Sequence, residues 1–302
     1  MTSPASQITP VAALMLLGLA LVWGGSFFFA EIALQGVPPL TITLFRVGLA
    51  VPALALVIWV RGICVPRSLR IWGCYLVMGA LNNALPFSLI FWGQTQIESG
   101  LASILNGTTA FFGVLVAGLI LKDEPLTPNK IIGALFGLAG VVAILGFDLL
   151  GGLDPRDLAQ LAVLGAALSY AFASVWAKVT LAGIPAQMNA LGMLTGSTVL
   201  MIPVALWSDG VPTFGYSASV WAALVAMALL STAIAYLLYF GILVRAGAAN
   251  LMLVTLMIPP FAAGLGAVFL DERLSPDAFV GFGLIALGLL ITDGRLFKRR
   301  AV

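Results

Sequence analysis

The chain has 302 residues, 61% hydrophobic and 9% charged, with 14 basic and 12 acidic side chains, a net charge of +2 and a mean hydropathy of +1.12. A soluble globular domain carries roughly 25% charged residues, so that class is excluded and a polytopic membrane protein is implied. There is no histidine, which removes a histidine-dependent intramembrane protease, an HExxH metalloprotease and any histidine proton relay; nor is there a Walker A loop for direct ATP drive.

A hydrocarbon core of roughly 30 Å demands about 20 apolar residues per helix. Ten spans are predicted, over 11–34, 40–60, 70–92, 99–121, 130–147, 159–181, 187–207, 218–243, 249–270 and 277–293. Span 1 follows ten residues without Lys or Arg and is too long for a signal-peptide core, so it is expected to be retained. It carries Trp23, Phe27 and Glu31 at i, i+4 and i+8, on one helical stripe. Span 2 places Arg46 at the depth of Glu31, where the two are expected to form a salt bridge or, alternatively, a gate. Cys64 and Cys74 flank the short basic loop that follows and are expected as free thiols.

Span 3 centres on Asn82 and Asn83, with Pro86 and Phe87 just beyond. A helical proline frees the carbonyl four residues earlier, here that of Asn82. Span 4 centres on Asn106, Thr108 and Thr109, and span 5 carries Gly133 and Gly137 as a packing face. Span 6 brings Ser169, Tyr170 and Ser174, with Lys178 on the same stripe. Span 8 brings Ser231, Thr232, Tyr236 and Tyr239. Span 9 brings Thr255 and the Pro259–Pro260 pair, which would free the carbonyls of Thr255 and Leu256 and act as a hinge. Freed carbonyls at membrane depth are tolerated where they line a wet cavity, and they accept well from an ammonium group. Polar residues at membrane depth mark function, so spans 1, 3, 4, 6, 8 and 9 are expected to line a central cavity. Trp92, Trp207 and Trp221, near span ends, read as interfacial belt residues.

The connections are too short for a soluble domain, the longest polar ones lying near 148–157 and 208–217. All twelve carboxylates fall at span ends or in loops. Coupled transport often uses a carboxylate at the midplane, so its absence favours a facilitator, although backbone carbonyls could still bind sodium.

The two halves repeat. Leu121-Lys-Asp-Glu-Pro-Leu-Thr-Pro128 reappears as Phe269-Leu-Asp-Glu-Arg-Leu-Ser-Pro276, an offset of 148 that also maps Gly133 onto Gly281 and Gly140 onto Gly288. At an offset of 147, Trp23 falls on Tyr170 and Glu31 on Lys178. The chain is therefore read as two five-helix repeats, 1–150 and 151–302. Eleven basic residues fall on one side, among them Arg61, Arg67, Arg70, Lys122, Lys130 and the C-terminal Arg295, Lys298, Arg299 and Arg300; only Arg46, Arg156 and Arg273 fall on the other. The positive-inside bias puts both termini in the cytoplasm. Five spans per repeat invert the second copy, and inverted repeats build transporters that work by alternating access around a midplane site.

Taken together, the ten spans, the Leu21-Val-Trp-Gly-Gly-Ser26 start, Arg46, Gly100-Leu-Ala-Ser-Ile-Leu-Asn106, the acidic turns and the spaced glycines resemble the EamA-type family of the drug/metabolite transporter superfamily along essentially the whole chain. That resemblance implies export of small metabolites across a bacterial inner membrane. Within the superfamily the chain is similar to YddG-type exporters of aromatic and other apolar amino acids, which implies a central substrate cavity. Family members commonly carry a proline within helix 4, whereas here none lies between Asn106 and Lys122, so no proline-made kink is expected there. The expected substrate contacts are an apolar wall of Trp23, Phe27, Phe87 and Tyr170 and polar groups on Asn82, Asn83, Asn106, Ser174, Tyr239 and Thr255. Pro86, Pro259, Pro260, Glu31 and Arg46 are the expected hinge and gate. No enzyme activity, cofactor, metal or nucleic-acid partner is expected; the partners are a small-molecule substrate and the lipid bilayer, and the sequence is silent on oligomeric state. Export of drugs, nucleosides or lipid-linked sugars, or ion-coupled antiport, are the alternatives.

Overall fold

The computed structural model describes residues 9–121, 123–145, 154–251 and 253–293; the side chains of 248, 249 and 293 fall outside that description. Lys122, the C-terminal basic cluster and the boundary near residue 150 therefore lie outside the described residues. The described chain forms ten helices: α1 Pro10–Leu34, α2 Pro39–Val60, α3 Leu69–Gly93, α4 Ser99–Ile120, α5 Pro128–Leu145, α6 Pro155–Thr180, α7 Ala186–Ser208, α8 Ala218–Gly247, α9 Val254–Phe269 and α10 Pro276–Asp293. Eight are long and apolar enough to cross a bilayer, and α9 and α10 are shorter apolar helices.

Local chemistry sets the starts. Proline occupies the first position of α1, α2, α5, α6 and α10, where its missing N–H costs nothing. Asp154 and Asp157 form a reciprocal capping box at the start of α6, and Thr9 Oγ1 accepts from the Ala12 N–H at 3.2 Å.

Packing crosses between the halves. Helix α1 lies on α9, α4 on α6, α2 on α7 and α5 on α10, around one shared apolar core. The α5–α10 seam is built from glycines: a Cβ on Gly140 would lie 2.7 Å from the Gly281 carbonyl, and one on Gly133 would lie 2.5 Å from that of Gly288. The glycines that the repeat maps onto one another thus face each other crosswise, in antiparallel register. Gly24 admits α9 in the same way, since a Cβ there would lie 3.0 Å from the Ile258 carbonyl.

Three interruptions were not foreseen. Helix α3 widens into a π turn at Ala80–Ala84 and α8 into another at Leu229–Ile234. They occupy corresponding places in the two halves and carry Asn82 and Asn83 in one, Ser231 and Thr232 in the other. Pro86 follows the first, but no proline follows the second, so proline is not their common cause. In the second, Thr232 Oγ1 donates to the Met227 carbonyl five residues back at 2.9 Å, filling the widened turn; such turns concentrate at functional sites. The third is in α4, which breaks at Gly107 and Thr108. Hydroxyls do there what a proline does elsewhere: Thr108 Oγ1 donates to the Leu105 carbonyl at 2.6 Å and Thr109 Oγ1 to that of Asn106 at 2.7 Å. The missing proline does not leave α4 straight.

Span 9 needs correction. Helix α9 begins at Val254 rather than near 249, after Gly247 turns the backbone with a φ of 78°. Thr255 therefore stands in the first turn, not at mid-span. Pro259 is buried against α1, while Pro260 is exposed on the outer surface.

Candidate functional site

The π turns aim polar side chains inward at mid-depth. Asn82 Nδ2 reaches Asn83 Oδ1 at 3.3 Å, the Tyr236 hydroxyl at 3.4 Å and Met193 Sδ at 3.6 Å. Two N–H groups spread over three long contacts leave this amide weakly held and free to meet a ligand. Across from it, Trp23 and Tyr239 pack with ring centroids 5.9 Å apart, and Tyr239 sits edge-on to Phe240 at 5.4 Å. Trp23, Asn82, Tyr170, Tyr236 and Tyr239 are all half-buried in the bundle interior. Helices α1, α3, α6 and α8 thus bring together an aromatic wall with amide and phenol groups.

Arg46 lies with this group and is not paired with Glu31. It is 7% exposed, its guanidinium lies 3.8 Å over the Phe87 ring centroid, and Nε donates to Thr232 Oγ1 at 3.3 Å. Tyr170 and Tyr236 lie within electrostatic range of it. Among the described residues it forms no ion pair, so the expected Glu31–Arg46 bridge is absent. The cause is helix rotation: packing on α7 and α8 turns the Arg46 face of α2 toward the axis, while Glu31 points to a loop pocket.

Contacts around that pocket close one face. Gln94 Nε2 donates to the Phe27 carbonyl at 2.9 Å and to Glu31 Oε2 at 3.3 Å, and buried Phe27 plugs the space beneath. Glu272 reaches from the α9–α10 loop to the start of α4, accepting from Ser99 N–H at 2.9 Å, Ser99 Oγ at 2.8 Å and Gly100 N–H at 3.3 Å. An anion at a helix N-terminus satisfies donors that have no partner within the helix. Arg156 pairs with Glu98 at 2.9 Å beside it. A cavity of about 320 Å³ lies among Glu31, Gln94, Glu98 and Glu272.

The opposite face is the more open of the two at the matching position of the stripe. Tyr170, Ser174 and Lys178 continue the stripe that Trp23, Phe27 and Glu31 form on α1, yet Ser174 is exposed where its counterpart Phe27 is buried. The first half of α4 packs on α9, with Gly100 against Ala263, but its second half packs on α6 instead. Lys178 Nζ ties to Asp123 and Glu124, both at 2.7 Å. Its hydrogen bond holds the Asp123 carboxyl below the usual carboxylate range.

The structure therefore gathers Trp23, Asn82, Tyr170 and Tyr239 at mid-depth, with Phe87 beneath Arg46. It does not bring the other expected contacts to the same wall. Asn83 is fully buried and donates to Ser197 Oγ on α7 at 3.0 Å. Ser174 gives its hydroxyl to the Ala171 carbonyl at 2.7 Å. Asn106 sits at the α4 break with its Oδ1 enclosed and without a partner among the described residues. Tyr236 was expected among the polar residues of span 8 but not as a substrate contact, and no role was read for Gln94 or Glu272. Tyr236 precedes Tyr239 by three residues on the same helical face, a signal the sequence did carry.

Comparison with known proteins follows the same lines. The model of the EamA-like transporter family matches residues 10–146 and again 157–292. A probable amino-acid metabolite efflux pump of Escherichia coli is 28% identical over 295 residues, covering 94% of this chain and 95% of that protein. A probable terminal-alkyne amino-acid exporter of Streptantibioticus cattleyicolor is 26% identical, covering 92% of each. An uncharacterized transporter of Bacillus subtilis, YoaV, is 23% identical, covering 94% of this chain and 97% of that one. A solved crystal structure shares the fold with a TM-score of 0.68 at 21% identity, covering 96% of this chain and 99% of the other.

Proposed function

Because this chain belongs to the EamA-like transporter family, we propose that it exports small amphipathic metabolites, with apolar and aromatic amino acids as the substrate class, by alternating access. The observation that carries the reading is the mid-depth wall. Trp23 and Tyr239 pack at a tilt, 5.9 Å between ring centroids, and the loosely held amide of Asn82 lies in the same bundle interior, which is closed on one face and more open on the other. An aromatic side chain binds such a wall by stacking worth about 0.5–1.5 kcal/mol per ring pair beyond its area burial, while the amide and phenols meet its polar end.

The open face is the one to which the positive-inside bias assigns the cytoplasm, so the conformation described is loaded from inside. Substrate entering there meets the wall. Release then requires the Glu272–Ser99 clasp to part while the second half of α4 closes toward α9, the Gly107–Thr108 break serving as the bend. The inverted arrangement of residues 1–150 and 151–302 supplies the two gates. Localisation in a bacterial inner membrane with both termini cytoplasmic belongs to the same reading. Every described carboxylate lies at a helix end or in a loop, which supports a facilitator driven by the substrate's own gradient.

The test is release of a preloaded amino-acid panel from proteoliposomes with no ion gradient. Phe, Trp or Met should leave in a protein-dependent manner, and Trp23→Ala or Asn82→Leu should slow release while leaving the protein folded and inserted. Release of nucleosides or drugs but of no amino acid would overturn the substrate class; release only under an imposed proton or sodium gradient would overturn the facilitator.

A further inference from the structure

Arg46 is a full positive charge buried inside the bundle without a carboxylate partner among the described residues. A lone charge in this setting is costly, and the few that persist in membrane helices mark function. What surrounds Arg46 orients it rather than neutralises it. Phe87 covers one face of the guanidinium at 3.8 Å and Phe91 lies 5.7 Å away, while Thr232 Oγ1 takes only the Nε proton. Rings and hydroxyls of this kind hold a guanidinium plane in place and leave its terminal amino groups to donate. Neither terminal nitrogen donates a hydrogen bond among the described residues, so both remain available to donate. Two parallel N–H donors on a fixed plane match the two oxygens of a carboxylate.

We infer that Arg46 is the carboxylate anchor of the transported molecule and the residue that makes a free carboxylate obligatory. This rests on the amino-acid reading above and deepens it. The side chain of the substrate lies along Trp23 and Tyr239, and its carboxylate turns toward α2. Tyr236 lies within electrostatic range of Arg46 and accepts from Asn82, linking the anchor to the wall. The other half of the chain supports the assignment by contrast. The repeat sets Met193 where Arg46 stands, and Met193 Sδ lies near the same Asn82 amide. The site therefore carries its cation on one side only, which fixes the orientation of the bound molecule.

The experiment compares L-phenylalanine, L-phenylalaninamide, 3-phenylpropionate and phenethylamine as competitors of labelled phenylalanine efflux, with their binding followed by tryptophan fluorescence of the purified protein. The carboxylate-bearing pair should compete, and the amide and the amine should be about ten- to a hundredfold weaker, as loss of a charge-assisted hydrogen-bond pair predicts. Arg46→Gln should flatten that difference without weakening the amide, and Arg46→Lys should restore part of the preference for carboxylate. Equal competition by phenylalanine and its amide in the unaltered protein would sink the anchor while leaving amino-acid export standing. If phenylalanine does not move but 3-phenylpropionate still binds in an Arg46-dependent way, the anchor stands and the amino-acid reading falls. If neither binds, both fall. Should Arg46→Gln insert poorly, the four-compound comparison on the unaltered protein decides alone.

Discussion

Removing the Glu272 carboxylate should open the sealed face. Its oxygens accept three hydrogen bonds at the start of α4, two from backbone N–H groups and one from Ser99 Oγ. Each bond to a charged group contributes about 1.5–3 kcal/mol when its partner stays buried, but the carboxylate is rehydrated once the clasp parts, so the three do not add. A net bias of about 2–3 kcal/mol is the reasonable magnitude, which is about 30- to 150-fold in the ratio of sealed to unsealed protein. Glu272→Gln keeps an acceptor and loses the charge, so about half of that bias should go.

Gly266 gives an independent route to the same result. A Cβ there would overlap the Glu272 carboxylate and come within 3.0 Å of Ser99 Oγ, so Gly266→Ala should displace the clasp without changing any charge. Spin labels at Gln96 and Arg273, both exposed on this face, would report the gap by pulsed electron resonance once Cys64 and Cys74 are replaced by serine. The unaltered protein should show one distance, and Glu272→Ala and Gly266→Ala should both add a longer one. An unchanged distribution in both variants would refute the clasp as the element that holds this face shut.

Two further outcomes follow from the packing. Asn83→Ala should lower the thermal midpoint, because losing a buried amide that donates to Ser197 costs about 1–3 kcal/mol, while transport per inserted molecule stays near that of the parent; a stable but inactive variant would return Asn83 to the substrate wall. The depressed Asp123 carboxyl, held down by Lys178, contributes stability that is present above its unfolded-state value of about 3.9 and is lost as pH falls through its folded value. The thermal midpoints of the parent and Lys178→Gln should therefore differ at neutral pH, the parent higher, and converge on acidification; curves that stay parallel would show that this tie carries no stability.

Much of this arrangement was legible because the bilayer is a strict solvent. Ten apolar runs became ten helices, and the repeat arithmetic that mapped Gly133 onto Gly281 and Gly140 onto Gly288 named the glycines that meet across α5 and α10. Hydropathy registers how apolar a segment is, not how its backbone turns. It ran span 9 back through residues 249–253, and it gave no warning of the π turns. Depth along a helix was readable for Arg46, but rotation about the axis was not, because rotation is set by the neighbours that α2 packs against. The partner chosen by depth, Glu31, was therefore wrong, and the real surroundings, Phe87 and Thr232, lie on other helices.

The same repeat explains why the two faces behave differently. Lys178 and Glu31 occupy matching positions, as do Glu124 and Glu272. On the open face the pair is opposite in sign, and Lys178 keeps Glu124 beside α6. On the sealed face the matching groups are both acidic and line one cavity. Glu272 has no cation there to hold it on α1, and like charges so placed repel; it turns instead to the N–H groups of Ser99 and Gly100 across the bundle. One change of sign thus converts a local tie into a cross-bundle clasp. Glu31→Lys should reverse it by drawing Glu272 back toward α1, and the longer Gln96–Arg273 distance should then appear with Glu272 itself intact. Glu31→Gln removes the repulsion without supplying a cation and should leave the clasp closed. If Glu31→Lys keeps the single short distance, charge at this position does not govern where Glu272 binds, and the asymmetry must come from the α4 end of the clasp.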